Sequence, residues 1–483
     1  MEPLTFSFRA QDLLYLLPEG ILVGFGLLLL LADPFLPPPR KTLLGTGALI
    51  GLLASAVATG ALWSRRVFLF DHLFTVDAYA VFFKLIFLAA AVMTLLVSFR
   101  YLKALKALRV EYFVLLLFAA VGMMVTASGS DLLSIYLGLE LMTISSYALV
   151  GFLKKREASL EGALKFFILG AFNSGVLLYG IALLYGFWAT TDLSKMHDFL
   201  IQGPPPKMLL VGKGLLLCGL AFKISAFPFH MWVPDAYEGS PTPIAGFISV
   251  ASKAAGFAAL LRVVTVLWNP LFGEWQTFIV ILSILTMTVG NLLALSQENL
   301  KRMLAYSSIA HAGYLLMGVA AGSPIGLFAV LFYFIAYALM NLGAFFMMLL
   351  LPQENAPESI DCFKGLAQKH PFWGLCLLLF FISLAGIPPS AGFVGKFYLF
   401  ASAIQSRLYL LAVIGILNNV LALVYYFRVV RGMYMLEESR PVILSAAGGL
   451  RLVLIVLAVL TLLVGLYPAP FLRIAYQAGG VLL

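Results

Sequence analysis

Long apolar runs alternate with short polar intervals along almost the whole chain of 483 residues. The runs fall at roughly 12–31, 43–63, 79–99, 112–128, 132–152, 160–187, 208–229, 243–266, 276–296, 303–321, 324–350, 372–399, 407–430 and 450–469. Most reach the ~20 residues that carry a helix across a bilayer core. The pattern predicts an all-α polytopic membrane protein with about 14 transmembrane helices. The longest polar intervals, near 188–207, 351–371 and 431–449, hold about twenty residues each, well short of the ~50 of a folded domain. Residues 1–483 are therefore read as one integral membrane domain with no soluble catalytic module.

Composition sharpens this. The chain is 62% hydrophobic, and at ~20 apolar residues per span that sets a ceiling near ~15 spans. Charged residues make up 11% and mean hydropathy is +1.01, against ~25% charged in soluble domains, which excludes a soluble globular protein. The net charge of +9 is carried by alternate connections: Arg100, Lys103, Lys106 and Arg109; Lys154, Lys155 and Arg156; Lys301 and Arg302; Arg428, Arg431 and Arg440. The turns after the fourth and tenth runs have no Lys or Arg. By the positive-inside rule both termini lie outside the cytoplasm. No basic and aromatic patch speaks for nucleic acid, and the lipid bilayer is the expected surrounding. Cys218, Cys362 and Cys376 lack the spacing and clustered partners of a metal or iron–sulfur site and read as packing thiols. Glu2 and Arg9 precede the first run, and no small-residue cleavage site follows it, so that run reads as a retained helix. Gly45-Thr46-Gly47-Ala48-Leu49-Ile50-Gly51 mimics a dinucleotide-binding glycine pattern, but inside an apolar run with no preceding strand it reads as close helix packing.

Ionisable residues within apolar runs carry the chemistry. Glu140 lies near the centre of the fifth run and Lys253 near that of the eighth, with Lys223 and Lys396 at similar depths in the seventh and twelfth. Each costs ~3 kcal/mol to insert unless paired or facing water. A structural ion pair fixing helix register is the plainer reading, but three lysines cannot all pair with one glutamate. Pro228 should free the carbonyl of Ile224, and Pro388 and Pro389 those of Leu384 and Ala385, in a stretch loosened by Gly386, Gly392 and Gly395. Irregular backbone at membrane depth survives only where protein or internal water satisfies it. Helices seven and twelve are therefore expected to be broken. Low dielectric favours a neutral amine and a nearby carboxylate favours the ammonium, so Glu140 and Lys223 are expected to titrate as a coupled switch.

Secondary relay candidates are His311, with Ser307, Ser308 and Tyr314 within about a turn; Lys165, following Glu161 near a helix end, where snorkelling competes; and His230 with Asp235, just beyond Pro228. One weak self-similarity relates residues 130–151 to 298–318 at an offset of 167. Five helices in that offset would insert the second copy upside down, the inverted-repeat architecture of many transporters.

At these residues the chain resembles the antiporter-like membrane subunits of complex I, the proton-pumping NADH:quinone oxidoreductase. The stretch Phe222-Lys223-Ile224-Ser225-Ala226-Phe227-Pro228-Phe229-His230-Met231-Trp232-Val233-Pro234-Asp235-Ala236-Tyr237-Glu238-Gly239-Ser240-Pro241-Thr242-Pro243 is similar to their broken-helix signature throughout. Leu304-Ala305-Tyr306-Ser307-Ser308-Ile309-Ala310-His311 and Gly386-Ile387-Pro388-Pro389-Ser390-Ala391-Gly392-Phe393 add two further matches. The lysine at 396 is similar to the subunit N branch, the mitochondrial subunit 2 type, where subunit M has glutamate. The resemblance implies N-terminal helices one to three (1–110), a first five-helix repeat (111–266), an inverted second repeat (275–431) and a last helix (450–483). It also implies proton transfer through Glu140, Lys223, Lys253, Lys396 and His311. NADH, FMN, iron–sulfur clusters and quinone are expected on partner subunits, membrane and peripheral, and none on this chain. The bacterial inner membrane, with periplasmic termini, is the implied location. A subunit of a multisubunit Na+/H+ antiporter or of a membrane-bound hydrogenase-type complex is the alternative, and a purely structural scaffold a third.

Overall fold

The computed structural model describes residues 12–37, 41–202, 207–267, 272–351, 358–437, 444 and 448–483; Glu2, Arg9 and Arg440 lie outside the described residues. Twelve described helices are long and apolar enough to cross a membrane. They are α1 Leu17–Ala32, α2 Thr42–Gly60, α3 Ala78–Ala104, α4 Val110–Ser128, α5 Leu132–Val150, α6 Glu157–Trp188, α8 Thr242–Leu267, α9 Phe272–Leu295, α10 Leu300–Ala320, α11 Pro324–Leu350, α13 Tyr409–Met435 and α14 Gly448–Leu466. The other two expected helices are interrupted: α7 is Lys207–Lys223 resumed at Trp232–Gly239, and α12 is Pro371–Ala385 resumed at Ala391–Gln405. One small hairpin, β1 Val67–Leu69 with β2 Phe74–Val76, lies between α2 and α3; its strands are too short for any pattern of hydrophobic positions to announce.

The core sits on α8 and α10, which are 100% and 94% buried over their spanning windows, while the outer helices leave apolar side chains such as Val57, Phe172 and Leu410 exposed. Two helix pairs approach closely through a glycine. A Cβ on Gly122 would stand 2.7 Å from the Gly138 carbonyl across α4 and α5, and one on Gly290 2.6 Å from the Ala310 amide across α9 and α10. Dispersion and close backbone contact hold helices together where lipid removes the hydrophobic drive.

The residues flagged as self-similar fold alike. Asp131 caps α5, its Oδ1 accepting from the amides of Leu133 (2.7 Å) and Ser134 (3.3 Å). Asn299 caps α10 in the same way, from Lys301 (2.9 Å) and Arg302 (3.2 Å). Each cap is stitched to the segment ahead of a broken helix by two main-chain bonds: Leu132 N to Thr191 O and Leu193 N to Ser130 O in one half, Leu300 N to Glu358 O and Ile360 N to Glu298 O in the other.

The breaks differ from the expectation in one respect. Proline is not what ends the first half of either helix. Both halves end in a left-handed residue with paired 5→2 and 6→1 main-chain bonds. At α7 the residue is Ser225 (φ +64°), with Ser225 N bonding to Phe222 O and Ala226 N to Ala221 O. At α12 it is Gly386 (φ +78°), with Gly386 N to Ser383 O and Ile387 N to Ile382 O. The seventh run therefore stops being helical at Lys223, ahead of Pro228, so Lys223 occupies a helix end rather than mid-helix. The twelfth run is broken as expected, and Lys396 belongs to its second half.

Candidate functional site

α5 reaches α7 through side chains, its one carboxylate facing the end of the first half-helix of α7. Glu140 Oε1 lies 3.2 Å from Lys223 Nζ, which also donates to Thr143 Oγ1 at 2.7 Å. The Thr143 hydroxyl in turn donates a hydrogen bond to the Leu139 carbonyl. Lys223 is the last residue of its half-helix, so the partial negative charge of the carbonyl end supports the ammonium as well.

Lys253 follows directly on a π-helical turn, Ile248–Ser252, a wide turn that often marks functional positions. It is 1% exposed and donates to the Ser308 carbonyl (2.5 Å) and hydroxyl (2.8 Å) on α10. One turn further on, Gly256 abuts the broken helix: a Cβ there would be 3.1 Å from the Lys223 carbonyl carbon. The central lysine thus sits between the break of α7 and the polar face of α10. His230 is buried in the break, stacked on Phe227 with ring centroids 5.6 Å apart.

On α10, Ser307, Ser308 and His311 share one face, as the i, i+3 and i, i+4 spacings require. His311 meets tyrosines of two other helices. Its Nδ1 lies 2.6 Å from the Tyr333 hydroxyl of α11 and its Nε2 3.3 Å from the Tyr426 hydroxyl of α13; Tyr426 also bonds to Ser307. Tyr314 presents its ring face to Lys396 Nζ, 4.7 Å from the centroid. Lys396 Nζ donates to Asn419 Oδ1 at 2.6 Å and to the Leu384 carbonyl at 2.8 Å. That carbonyl is one that Pro388 was expected to free, so the lysine itself satisfies it.

Lys165 and Asp235 stand apart from this row. Lys165 is half exposed, 2.8 Å from Asp235 and 2.6 Å from Glu161, and Arg302 binds Asp235 and Glu238 at 2.6 Å each. Lys301, read as one of the connection charges, is buried: its Nζ reaches Glu358 and the Ser240 carbonyl at 3.0 Å each. Arg156 also binds Glu358 at 3.0 Å. Burial alone would raise the Glu358 carboxyl, but the charge and hydrogen bonds of Lys301 and Arg156 outweigh it and hold it below the usual range. Two buried ion pairs escaped the sequence reading: Glu19–Lys84 (2.6 Å) and Asp77–Arg262 (3.1 Å). The signal for the first was Lys84 inside an apolar run; Asp77 stood at a run's edge and read as a connection.

Fold and site together define a class, the polytopic antiporter-like proteins with charged residues along two broken helices. The family profile described as "NADH:quinone oxidoreductase/Mrp antiporter, TM" matches residues 129–422. Among curated relatives, NADH-quinone oxidoreductase subunit N of Trichlorobacter lovleyi is 43% identical over 98% of both chains. A chain of the respiratory complex I structure from Thermus thermophilus with bound aureothin superposes with a TM-score of 0.81 at 32% identity, over 94% of this chain and 98% of that one. A chain of the Mrp complex from Dietzia sp. shares the fold, with a TM-score of 0.83 at 22% identity over 98% of each. By these likenesses the chain belongs to the NADH-quinone oxidoreductase subunit N family of antiporter-like membrane proteins.

Proposed function

We propose that the chain is a proton-translocating membrane subunit of a respiratory NADH:quinone oxidoreductase. The observation that carries this reading is the buried polar row from Glu140 and Lys223, past His230 to Lys253 and Ser308, and on through Ser307, Tyr426 and His311 toward Tyr314 and Lys396. Isolated charges at membrane depth cost several kcal/mol, and a row of titratable groups, hydrogen-bonded in separate clusters around Lys223, Lys253, His311 and Lys396, gives that cost a use. Protonating Glu140 removes the charge that holds Lys223 as an ammonium, so the two titrate as a pair. Lys253 takes or gives the proton at the centre, and Lys396 is the far station. Among the described residues the contacts of Lys396 Nζ are neutral groups, so loss of its proton leaves no opposing charge behind.

In this reading the two halves, residues 111–266 and 275–431, are inserted in opposite directions. NADH, FMN, iron–sulfur clusters and quinone are held by partner subunits, and redox energy reaches this chain as a change in charge or shape at its boundary. The membrane is the bacterial inner membrane, the termini are periplasmic, and the ends carrying Lys154 and Lys301 face the cytoplasm. Purifying the native complex in mild detergent and identifying its chains by mass spectrometry tests the assignment. Flavin and iron–sulfur subunits are expected in one particle with this chain. Small membrane proteins alone would assign it instead to a Na+/H+ antiporter assembly.

A further inference from the structure

Nine residues beyond Lys253 on the same helix, about 13 Å along the axis, Arg262 forms a second buried charge centre. Its Nη1 and Nη2 donate to the two carboxylate oxygens of Asp77 at 3.1 and 3.3 Å, and Nη2 also donates to the Ala127 carbonyl at 3.0 Å. Arg262 is 4% exposed and Asp77 3%. Asp77 also caps α3, accepting from the Ala80 amide at 2.7 Å. Between the two charge centres stands Tyr79. Its hydroxyl donates to the Ala258 carbonyl at 2.8 Å, halfway from Lys253 to Arg262, and its ring lies 4.9 Å under the guanidinium. Beside the pair opens a cavity of about 350 Å³, lined in part by Arg66, Thr75, Asp77, His197, Arg262 and Thr265. Arg262 lines this cavity, and its Nε has no hydrogen-bond partner among the described residues. Unsatisfied polar atoms beside a polar cavity of this size are where water enters a protein.

We infer that Asp77 is the outermost station of a proton path that leaves Lys253 along α8, past the Tyr79 hydroxyl, to water in this cavity. The inference rests on the proton-translocation reading. One proton leaves Nζ of Lys253, giving a neutral amine, and a carboxylate oxygen of Asp77 receives it and returns it to water; no electron moves. Arg262 cannot deprotonate and is a positioning residue. It orients the carboxylate through two hydrogen bonds and sets a fixed positive charge beside the path, as charged constrictions do in selective pores.

The test compares Asp77→Asn, Tyr79→Phe and Glu140→Ala in the assembled complex, reading protons moved per NADH oxidised in sealed vesicles. Asparagine still caps α3, and phenylalanine keeps the packing of Tyr79. The expected result is that Asp77→Asn falls to the level of Glu140→Ala, with Tyr79→Phe between it and wild type. Normal pumping by Asp77→Asn beside impaired Glu140→Ala would overturn this path and leave the translocation reading standing; normal pumping by both would remove the reading itself. If Asp77→Asn does not assemble, Thr265→Cys on the cavity wall decides. Rapid labelling by an impermeant maleimide from the face opposite Lys154 supports the path, and complete protection overturns it.

Discussion

The two broken helices place an ammonium at the same kind of structural feature by different routes. In α7 the lysine is itself the last residue of the first half-helix, and a carboxylate from α5 meets it. In α12 the lysine comes from the second half and reaches back to a last-turn carbonyl of the first, with an asparagine in place of a carboxylate. Both exploit the negative end of an interrupted helix. The difference lies in what remains when the proton leaves: an anionic glutamate in the first half, neutral amides and a tyrosine face in the second. In the proposed relay the first half pairs two titratable groups and the second holds one.

The largest break in this comparison comes from removing each lysine. Lys223→Ala strands Glu140 in a partly buried site, and the loss of one partner from a buried pair costs up to ~3 kcal/mol there. Lys396→Met leaves no unpaired charge and is expected to unfold within a few degrees of wild type. Both are expected to depress pumping at least tenfold, about 1.4 kcal/mol on the barrier. Thermal unfolding and proton uptake on the same purified complex separate the two effects. Equal stability losses would erase the distinction between paired and solitary lysines.

A milder change makes the second half resemble the first. Asn419→Asp puts a carboxylate within reach of Lys396 Nζ, now 2.6 Å from the amide oxygen, and is expected to hold the ammonium and slow NADH-driven pumping severalfold without loss of assembly. Turnover at the wild-type rate would mean that Lys396 does not exchange its proton during the cycle.

The smallest expected effect lies outside both rows. Because the Glu358 carboxyl is held below its usual value of 4.5, its contribution to stability is complete above that pH and fades as pH falls through the lower folded-state value. Glu358→Gln is therefore expected to be less stable at neutral pH, with a flatter loss of stability on acidification. Thermal scans from pH 7 to pH 3 read this directly, and parallel curves for the two proteins would refute it.

Charge in an apolar run was the legible signal. Glu140, Lys223, Lys253 and Lys396 stand out because nothing near them in sequence is polar enough to explain them, and Pro388 pointed to the carbonyl that Lys396 occupies. Tyr333 and Tyr426 were not legible as partners of His311, because a tyrosine among leucines and phenylalanines is equally a lipid-facing or packing residue; only the crossing of α10, α11 and α13 brings the hydroxyls together. The ends of the half-helices were misplaced for a related reason. Proline is visible in sequence, whereas a serine in the left-handed region, as at Ser225, carries no mark.

The account turns on Lys253, where the paired half and the solitary half meet. The most direct measurement is the number of protons moved per NADH oxidised by Lys253→Met in sealed vesicles with matched amounts of assembled complex. Methionine fills the same volume without a titrating group, so the account predicts a reduced ratio, with NADH oxidation through artificial acceptors unchanged. A normal ratio would contradict it, since a proton would then cross this chain without the one group that joins its two halves.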